Sequence, residues 1–586
     1  MKRSLVIFMI FALVLCMFSG CDGDNSGLPG LPGSDTTAPP EKVDFSKTDA
    51  DMFTDRDLSG EYENAQQITL GSGDVAITKP GTYLLSGTLE QGRITVNVTG
   101  ENDKVQLVLA GAHISCEDGA AICILDADKV FLTLQDGTEN TVAVGKTIGT
   151  LEGHELDAAI YSRADLTING SGSLTITAPA GQGISCKDDL AITGGEIHVT
   201  CANQGIDAND SVRISGGTIT VDAGKDGIHA ENAEDASLGF VYISGGVFQI
   251  ECEGDGISAG AYLQIGNGTF TILAGGGYKN GSNASSDGWG GMGGGMRPGS
   301  SSATESEDAQ SMKGLKAANS ILISAGTFDL DTADDAIHAD ASITINGGTY
   351  TVASGDDAVH AKDTLTVTAC DMTVEEAYEG LEAEKIYVKG GTLWLNCSDD
   401  GLNASGGADA SGTTGGRDGM FGGGRPGGPG GPGGPGGGMG ANENAIIAIS
   451  GGHLTIYSCG DGLDSNGNLT MSGGYVYAPN PRSGDVSVLD SQNQPVITGG
   501  IYIGLGASTM MAETFSAKTS TQGFLGISGG FAAGTEIRFA DKNGNEILSV
   551  TTEYATQLII VSCPQMIKGD TYTITAGEIS KDFSAS

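Results

Sequence analysis

Acidic side chains return in this sequence at a fixed interval. Asp334–Ala339 reads DDAIHA, and 22 residues on Asp356–Ala361 reads DDAVHA. Aligned on the same frame of a small residue followed by an aliphatic one, the position before the small residue holds Gln204, Asp226, Asp255, Lys313, Asp335, Asp357, Glu379, Asp400 and Asp461. Asp334, Asp356 and Asp399 stand one place earlier. Two places after the small residue come Asp207, His229, Ser258, Lys316, His338, His360, Glu382, Asn403 and Asp464. A single Asp before Gly commonly closes a turn with its own side chain and needs no further role. A stack of them is different, because carboxylates about 5 Å apart repel by roughly 1 kcal/mol in water and more when shielded. The run from Asp334 to Asp461 therefore calls for a cation. Paired carboxylates suit Ca²⁺, which takes six to eight oxygens. The flanking histidines leave a transition metal open, and a purely structural ladder is the third reading.

Lys313 and Lys316, in KGLKA, interrupt the acids. Each is either a counter-ion or, if a polysaccharide were cleaved by elimination, the base that removes the proton beside a uronate carboxyl group. Neighbouring carboxylates raise a lysine pKa, which opposes the second role. Arg163 and Arg213 are the other basic candidates.

These residues must be positioned by a repeat. Each interval carries an apolar, any, apolar triplet, such as Ile321–Ile323, Ile343–Ile345 and Leu365–Val367. Period two puts both outer members on one face of a strand. A corner follows, usually Gly-Gly, as at Gly216-Gly217 and Gly347-Gly348, then a second strand with inward pairs such as Phe328/Leu330 and Tyr350/Val352. The acidic residue and a third aliphatic close the interval. Three short strands per ~22 residues with no helical periodicity describe one coil of a parallel β-solenoid. Right-handedness is expected from the general chirality of parallel crossovers. Cys201, Cys252 and Cys397 occupy a column that elsewhere holds Ala223, Thr332, Ser354 and Ser458, so they read as core packing.

The expected organisation is residues 1–21 as a lipoprotein signal, 22–44 as a flexible tether, 45–485 as the parallel β-helix with its N-terminal cap, and 486–586 as an antiparallel β unit capping the open end. Glycine-rich insertions at 275–310 and 405–443 break the rhythm at one corner and carry Trp289, Met292, Met296 and Phe421, for which a mobile loop is the plain expectation. The signal reading rests on Lys2-Arg3, an apolar run from Leu5 to Phe18 too short to span a bilayer, and small residues before Cys21, the expected site of lipidation. The chain is then expected outside a bacterial cell, lipid-anchored to its membrane, as a monomer.

A net charge of −44, from 29 basic and 73 acidic residues, excludes nucleic acid or an anionic membrane as partners reached by simple attraction. An acidic ligand would need a bridging cation. Trp394, Tyr457, Tyr475 and Tyr477 fall on outward sides of successive strands and make a strip on which sugar rings could stack, or else a surface under the C-terminal unit.

The opening FTDRDLSGEYENAQQITL, the GTYLLSGTLEQGRITVNV segment, the GLKA, DDAIHA and DDAVHA coils, the two glycine-methionine insertions and the closing IIVSCPQ and GDTYTITAG together resemble a family of bacterial cell-surface carbohydrate-binding proteins shaped like pectate lyases. That resemblance implies a right-handed parallel β-helix with bound calcium that takes cellulose and acidic polysaccharides such as polygalacturonate without cleaving them. The family's calcium ligands would fall on Asp226, Asp255, Asp334, Asp335, Asp356, Asp357, Glu379, Asp399, Asp400 and Asp461. A calcium-dependent lyase, using Lys313 or Lys316, and a ligand-free structural rod are the alternatives.

Overall fold

The computed structural model describes residues 43–281, 311–404, 442, 444–484 and 486–586. The signal segment with Cys21, nearly all of the tether, and Trp289, Met292, Met296 and Phe421 lie outside the described residues. Of the first insertion, Gly275–Gly281 is described and contains a single 3-10 turn, Tyr278–Asn280.

The chain is nearly all β, and among the described residues 44 strands belong to one long, mostly parallel sheet. Its construction follows the repeat. Ser320–Ile323, Thr327–Thr332 and Ile337–Ala339 pair in parallel with the segments 22 residues on, placing Ile321 beside Ile343, Phe328 beside Tyr350, and Ile337 beside Val359. Like residues therefore stack, and the aliphatic members of each triplet are buried. The second strands add a ladder of rings: Phe248, Phe270, Phe328 and Tyr350 stack with their planes nearly parallel, with successive centroids 4.6, 4.8 and 4.7 Å apart. Cys201, Cys252 and Cys397 are buried free thiols in this core.

Two glycine positions are dictated by geometry. Gly348 turns the corner at φ 107°, a region closed to most side chains. Gly401, in the acidic frame, lies so close to the next repeat that a Cβ would meet Ile456 Cγ2 at 2.2 Å and the Gly462 carbonyl oxygen at 2.6 Å.

Parallel pairing runs further at both ends than the sequence rhythm does. It begins at Gln66–Ser72, paired with Gly81–Glu90, and ends at Ile501–Gly506, paired with Tyr475–Asn480. Beyond it, Thr556–Ser562 pairs antiparallel with Ile501–Gly506 and with Phe524–Phe531. A separate antiparallel sheet follows from Glu536–Ala540, Glu546–Thr551, Thr571–Ala576 and Ile579–Ser584, over a second hydrophobic cluster.

Residues 45–62 form no strand. They run as a strap over the outward side of the first strands, where Gln106, Phe131, Thr167, Ala191, Arg213, Tyr242 and Gln264 stand in register. Phe45 meets Tyr262 edge-on with centroids 5.6 Å apart, Gln264 donates to the Lys47 carbonyl (3.2 Å), Tyr242 to Asp49 (2.9 Å), and Arg213 to the Met52 carbonyl (3.0 Å). Further on, Asp57 is paired with Lys129 at 2.8 Å and accepts from Thr167, Arg56 sits 4.2 Å over the Phe131 ring, and Gln106 donates to the Glu61 carbonyl. Two one-turn helices, Asp49–Met52 and Asp55–Leu58, each opened by a threonine and an aspartate three residues on, shape the strap.

Candidate functional site

The acidic series occupies the corner between the second and third strands of each repeat, and one oxygen of most of its members is used structurally. The Asp255 N–H donates to Asp226 Oδ1 and the Lys313 N–H to Asp255 Oδ1, both at 2.8 Å. The Asp357 N–H donates to Asp335 Oδ1 (3.1 Å) and the Glu379 N–H to Asp357 Oδ1 (3.2 Å). Asp400 and Asp461 accept in the same way from the N–H groups of Asp461 and Ser487. Lys313 cannot accept, and the Asp335 N–H turns instead to Asp334 Oδ1 at 2.9 Å. The structural reading of the ladder thus accounts for one carboxylate oxygen. The chemistry lies with the other.

A second column faces it from the third strands, in unbroken register: Asp207, His229, Ser258, Lys316, His338, His360, Glu382, Asn403, Asp464 and Asp490. In its first half most acids have a basic partner; Asp226 is the exception, its carboxyl raised by burial and by Asp255. His229 Nδ1 lies 2.7 Å from Asp207 Oδ1, and Lys316 Nζ lies 3.0 Å from Asp255 Oδ2. Lys313 Nζ lies 2.6 Å from Asp335 Oδ2 and 2.9 Å from Asp334 Oδ1, and His338 Nδ1 approaches the same Asp335 oxygen at 2.7 Å. Burial disfavours the Lys313 charge, but Asp335 and Asp334 outweigh it and hold the ammonium protonated above the ordinary lysine range. Against its own burial, Asp335 is held well below the usual carboxylate range by Lys313 and the two histidines. A lysine so held is a counter-ion and a poor base. Arg213 is likewise engaged, with Asp189 at 3.0 Å, and Arg163 donates to the Leu125 carbonyl.

Past Asp356 no lysine or arginine pairs with the column among the described residues. Asp357 is fully buried and its Oδ2 accepts no hydrogen bond, the nearest basic nitrogen being His360 Nδ1 at 3.9 Å. Burial, then Glu382, Glu379, Asp356 and Asp335, push its carboxyl well above the usual range. Burial with Asp461, Asp464 and Asp399 does the same to Asp400. Asp461 is pushed up to about 8, chiefly by burial and by Asp464 and Asp490, against the Ser487 N–H. Neutral hydrogen bonds relieve part of the crowding: Asn403 Nδ2 donates to Glu379 (2.9 Å) and Tyr378 to Asp399 (2.7 Å).

Among the described residues, four groups bring ligand atoms within 4.8 Å of one another: Asp334/Asp335/Asp356, Asp335/His338/His360, Asp357/His360/Glu382 and Asp461/Asp464/Asp490. Lys313 already supplies a cation to the first two. The last two are in the half of the column that lacks lysine, and a metal ion fits them by charge. Asp461/Asp464/Asp490 offers only carboxylate oxygen, the donor set of a hard cation, whereas Asp357/His360/Glu382 adds an imidazole nitrogen. Of the expected ligands, Asp226, Asp255, Glu379, Asp399 and Asp400 fall in none of the four groups. Asp490 is a site residue that the 22-residue rhythm does not reach, because it follows Asp464 by 26 positions; the apolar Val488-Leu489 before it repeats the frame.

The four aromatics divide. Trp394 is 37% exposed, and its ring centroid lies 5.6 Å from that of Tyr457 on the neighbouring strand. They are not in one register column, since Trp394 pairs with Thr455, and Asn396 with Tyr457. Tyr475 stacks on His453 and, with Tyr477, packs against the C-terminal hydrophobic cluster. Tyr457 and Tyr477 both donate to Glu553 of that unit, at 3.2 and 2.8 Å.

Fold and column define a class: an all-β protein built by repetition, with a buried file of carboxylates along one corner. Residues 72–358 match the family model described as carbohydrate-binding domain-containing protein. A carbohydrate-binding domain-containing protein of Acetivibrio thermocellus is 37% identical over 162 residues, 27% of this chain and 56% of the relative. A solved structure described as the polysaccharide lyase-like protein from C. thermocellum, gadolinium derivative, is 40% identical over 35% of this chain and 82% of its own, with a TM-score of 0.34. The chain belongs to this family of carbohydrate-binding domain-containing proteins, and it spans 56% of the length of the curated relative.

Proposed function

We propose that the protein is a calcium-dependent receptor for acidic polysaccharides, displayed on a bacterial surface by a lipid at Cys21 and wound as a right-handed parallel β-helix. The observation that carries this reading is the lysine-free half of the column, from Asp356 to Asp490, where buried carboxylates crowd one another and Asp357 Oδ2 accepts no hydrogen bond. When bound, calcium would neutralise these groups and, taking six to eight oxygens, keep positions open for the carboxylate of a uronate polymer such as polygalacturonate. Asp461, Asp464 and Asp490 would hold it at the end of the column, and Glu382 with Asp357 further in. The ladder N–H bonds fix one oxygen of Asp357, Asp400 and Asp461 and so aim the other. Membership in the carbohydrate-binding family supports a glycan as the partner.

Binding without cleavage is favoured over the lyase alternative by Lys313, whose ammonium is held protonated between two carboxylates. Affinity electrophoresis of the full chain in polygalacturonate gels, with calcium or with chelator, tests both while the ultraviolet absorbance of unsaturated uronate is followed. Retardation that requires calcium and leaves absorbance flat supports the receptor. Rising absorbance establishes the lyase, and unretarded migration in both gels leaves a structural rod.

A further inference from the structure

Before Asp207 the two facing columns continue into neutral residues. Ser185 stands between Tyr161 and Asp207 in the register of the third strands, and Gln182, three residues ahead of it, extends the other column beyond Gln204. Asp335 and His338 hold the same two positions further on, and their side chains meet at 2.7 Å. Asp157 comes in from the preceding repeat, just after a small antiparallel excursion of Gly149–Leu151 and His154–Leu156, and its carbonyl accepts from the Gln182 N–H at 2.7 Å. Its Oδ2 lies 3.7 Å from Lys187 Nζ. Burial raises the Asp157 carboxyl, with Lys187 opposing and the nearby Asp207 adding to the rise. Three buried oxygens at this corner have no hydrogen-bond partner among the described residues: Asp157 Oδ1, Gln182 Oε1 and Ser185 Oγ. Ser185 is 0% exposed. The amide of Gln182 has committed its nitrogen, which donates to Gln204 Oε1 at 3.4 Å. Orphaned buried acceptors are destabilising, and three at one corner call for a shared positive partner.

We propose that Asp157 Oδ1, Gln182 Oε1 and Ser185 Oγ are the protein ligands of an alkali-metal cation, at a site apart from the lysine-free carboxylates. The donor set is one carboxylate, one amide carbonyl and one hydroxyl, all hard oxygen, of the kind that replaces the hydration shell of such an ion. Charge selects a monovalent ion over a divalent one. Lys187 already lies against Asp157, and His229 Nδ1 lies 2.7 Å from Asp207 Oδ1, so little negative charge is left at the corner. Bound there, the ion ties the end of the excursion at Asp157 to the third strand of the next repeat, Gln182–Cys186. The site is independent of the calcium-receptor reading, since it shares no ligand with the groups from Asp356 to Asp490.

The test is differential scanning calorimetry of the full chain in sodium, potassium and tetramethylammonium chloride at equal ionic strength. Chelator is present throughout as its tetramethylammonium salt, so that no divalent ion contributes. The unfolding midpoint should rise saturably with sodium or potassium and stay flat in tetramethylammonium, which is too large for the corner; the two alkali arms show which ion is preferred. Ser185→Ala should weaken the apparent alkali affinity roughly tenfold. In tetramethylammonium the same variant should unfold no earlier than wild type, because the orphaned hydroxyl is gone. Asp490→Asn, at the far end of the column, should keep the full alkali response. In crystals soaked with thallium(I), an anomalous peak should lie among the three oxygens. Equal midpoints in all three salts, an alkali response that Ser185→Ala retains or Asp490→Asn abolishes, or a thallium peak only elsewhere overturns the site. The three oxygens would then be served by water or by a protonated Asp157. Calcium-dependent retardation by polygalacturonate is read separately, so its failure leaves this site untouched.

Discussion

The Lys313 ammonium lies 2.6 Å from Asp335 Oδ2, with both side chains almost entirely out of solvent. This pair divides the carboxylate column in two. On its N-terminal side Asp207 meets His229 and Asp255 meets Lys316, and on its C-terminal side only His360, among the described residues, stands among Asp357, Glu379, Glu382, Asp400 and Asp461.

Replacing that tethered cation should expose the difference. Lys313→Met leaves Asp334 and Asp335 buried without it, a change of the kind that costs about 3–5 kcal/mol. Urea unfolding in chelator should show a loss of that order. Because Asp334, Asp335 and Asp356 then make a three-carboxylate group, calcium should restore more stability to the variant than to wild type. An equal calcium response in the two proteins contradicts the counter-ion assignment.

Cation removal should act at the other end of the column. With calcium at a hundredfold excess over its dissociation constant, binding to the folded state stabilises by about 2.7 kcal/mol. Chelation should lower the unfolding midpoint of wild type accordingly, and Asp490→Asn should remove most of that response. Differential scanning calorimetry with and without chelator measures both.

The strap carries its own pH dependence. Burial would raise the Asp57 carboxyl, but Lys129, Thr167 and Thr54 bring it down to about 2 from the ordinary 3.8. A depressed folded pKa means stability that is present above about pH 4 and is lost as pH falls towards 2, amounting to about 2 kcal/mol for this shift. The stability gap between wild type and Asp57→Asn should therefore narrow on acidification through that window. Denaturant unfolding between pH 5 and pH 2 checks the sign.

The repeat was legible because each strand stacks on its own copy. The match of DDAIHA to DDAVHA is the register of Ile337 with Val359, His338 with His360 and Ala339 with Ala361. The same logic placed both acidic columns as far as Asp464. The rest depends on contacts that leave no period. Residues 45–62 show no rhythm because their partners are up to 217 positions away, as Lys47 and Gln264 are. Asp490 escaped the rhythm because four extra residues precede it. The cover over Tyr475 and Tyr477 was one of the two readings their outward position allowed, and the partner that makes it could not be read, since Glu553 reaches Tyr477 across 76 residues. What one oxygen of each acid does, closing the ladder to the next N–H, also needed coordinates, although the Asp-Gly pattern hinted at it.

The central claim is that the lysine-free carboxylates recruit a cation through which an acidic glycan binds. Titration calorimetry of an oligogalacturonate into the full chain, in calcium and then in chelator, tests it most directly. The account predicts saturable heat in calcium, none in chelator, and none for Asp490→Asn under either condition. Equal binding of the oligogalacturonate in chelator would contradict it.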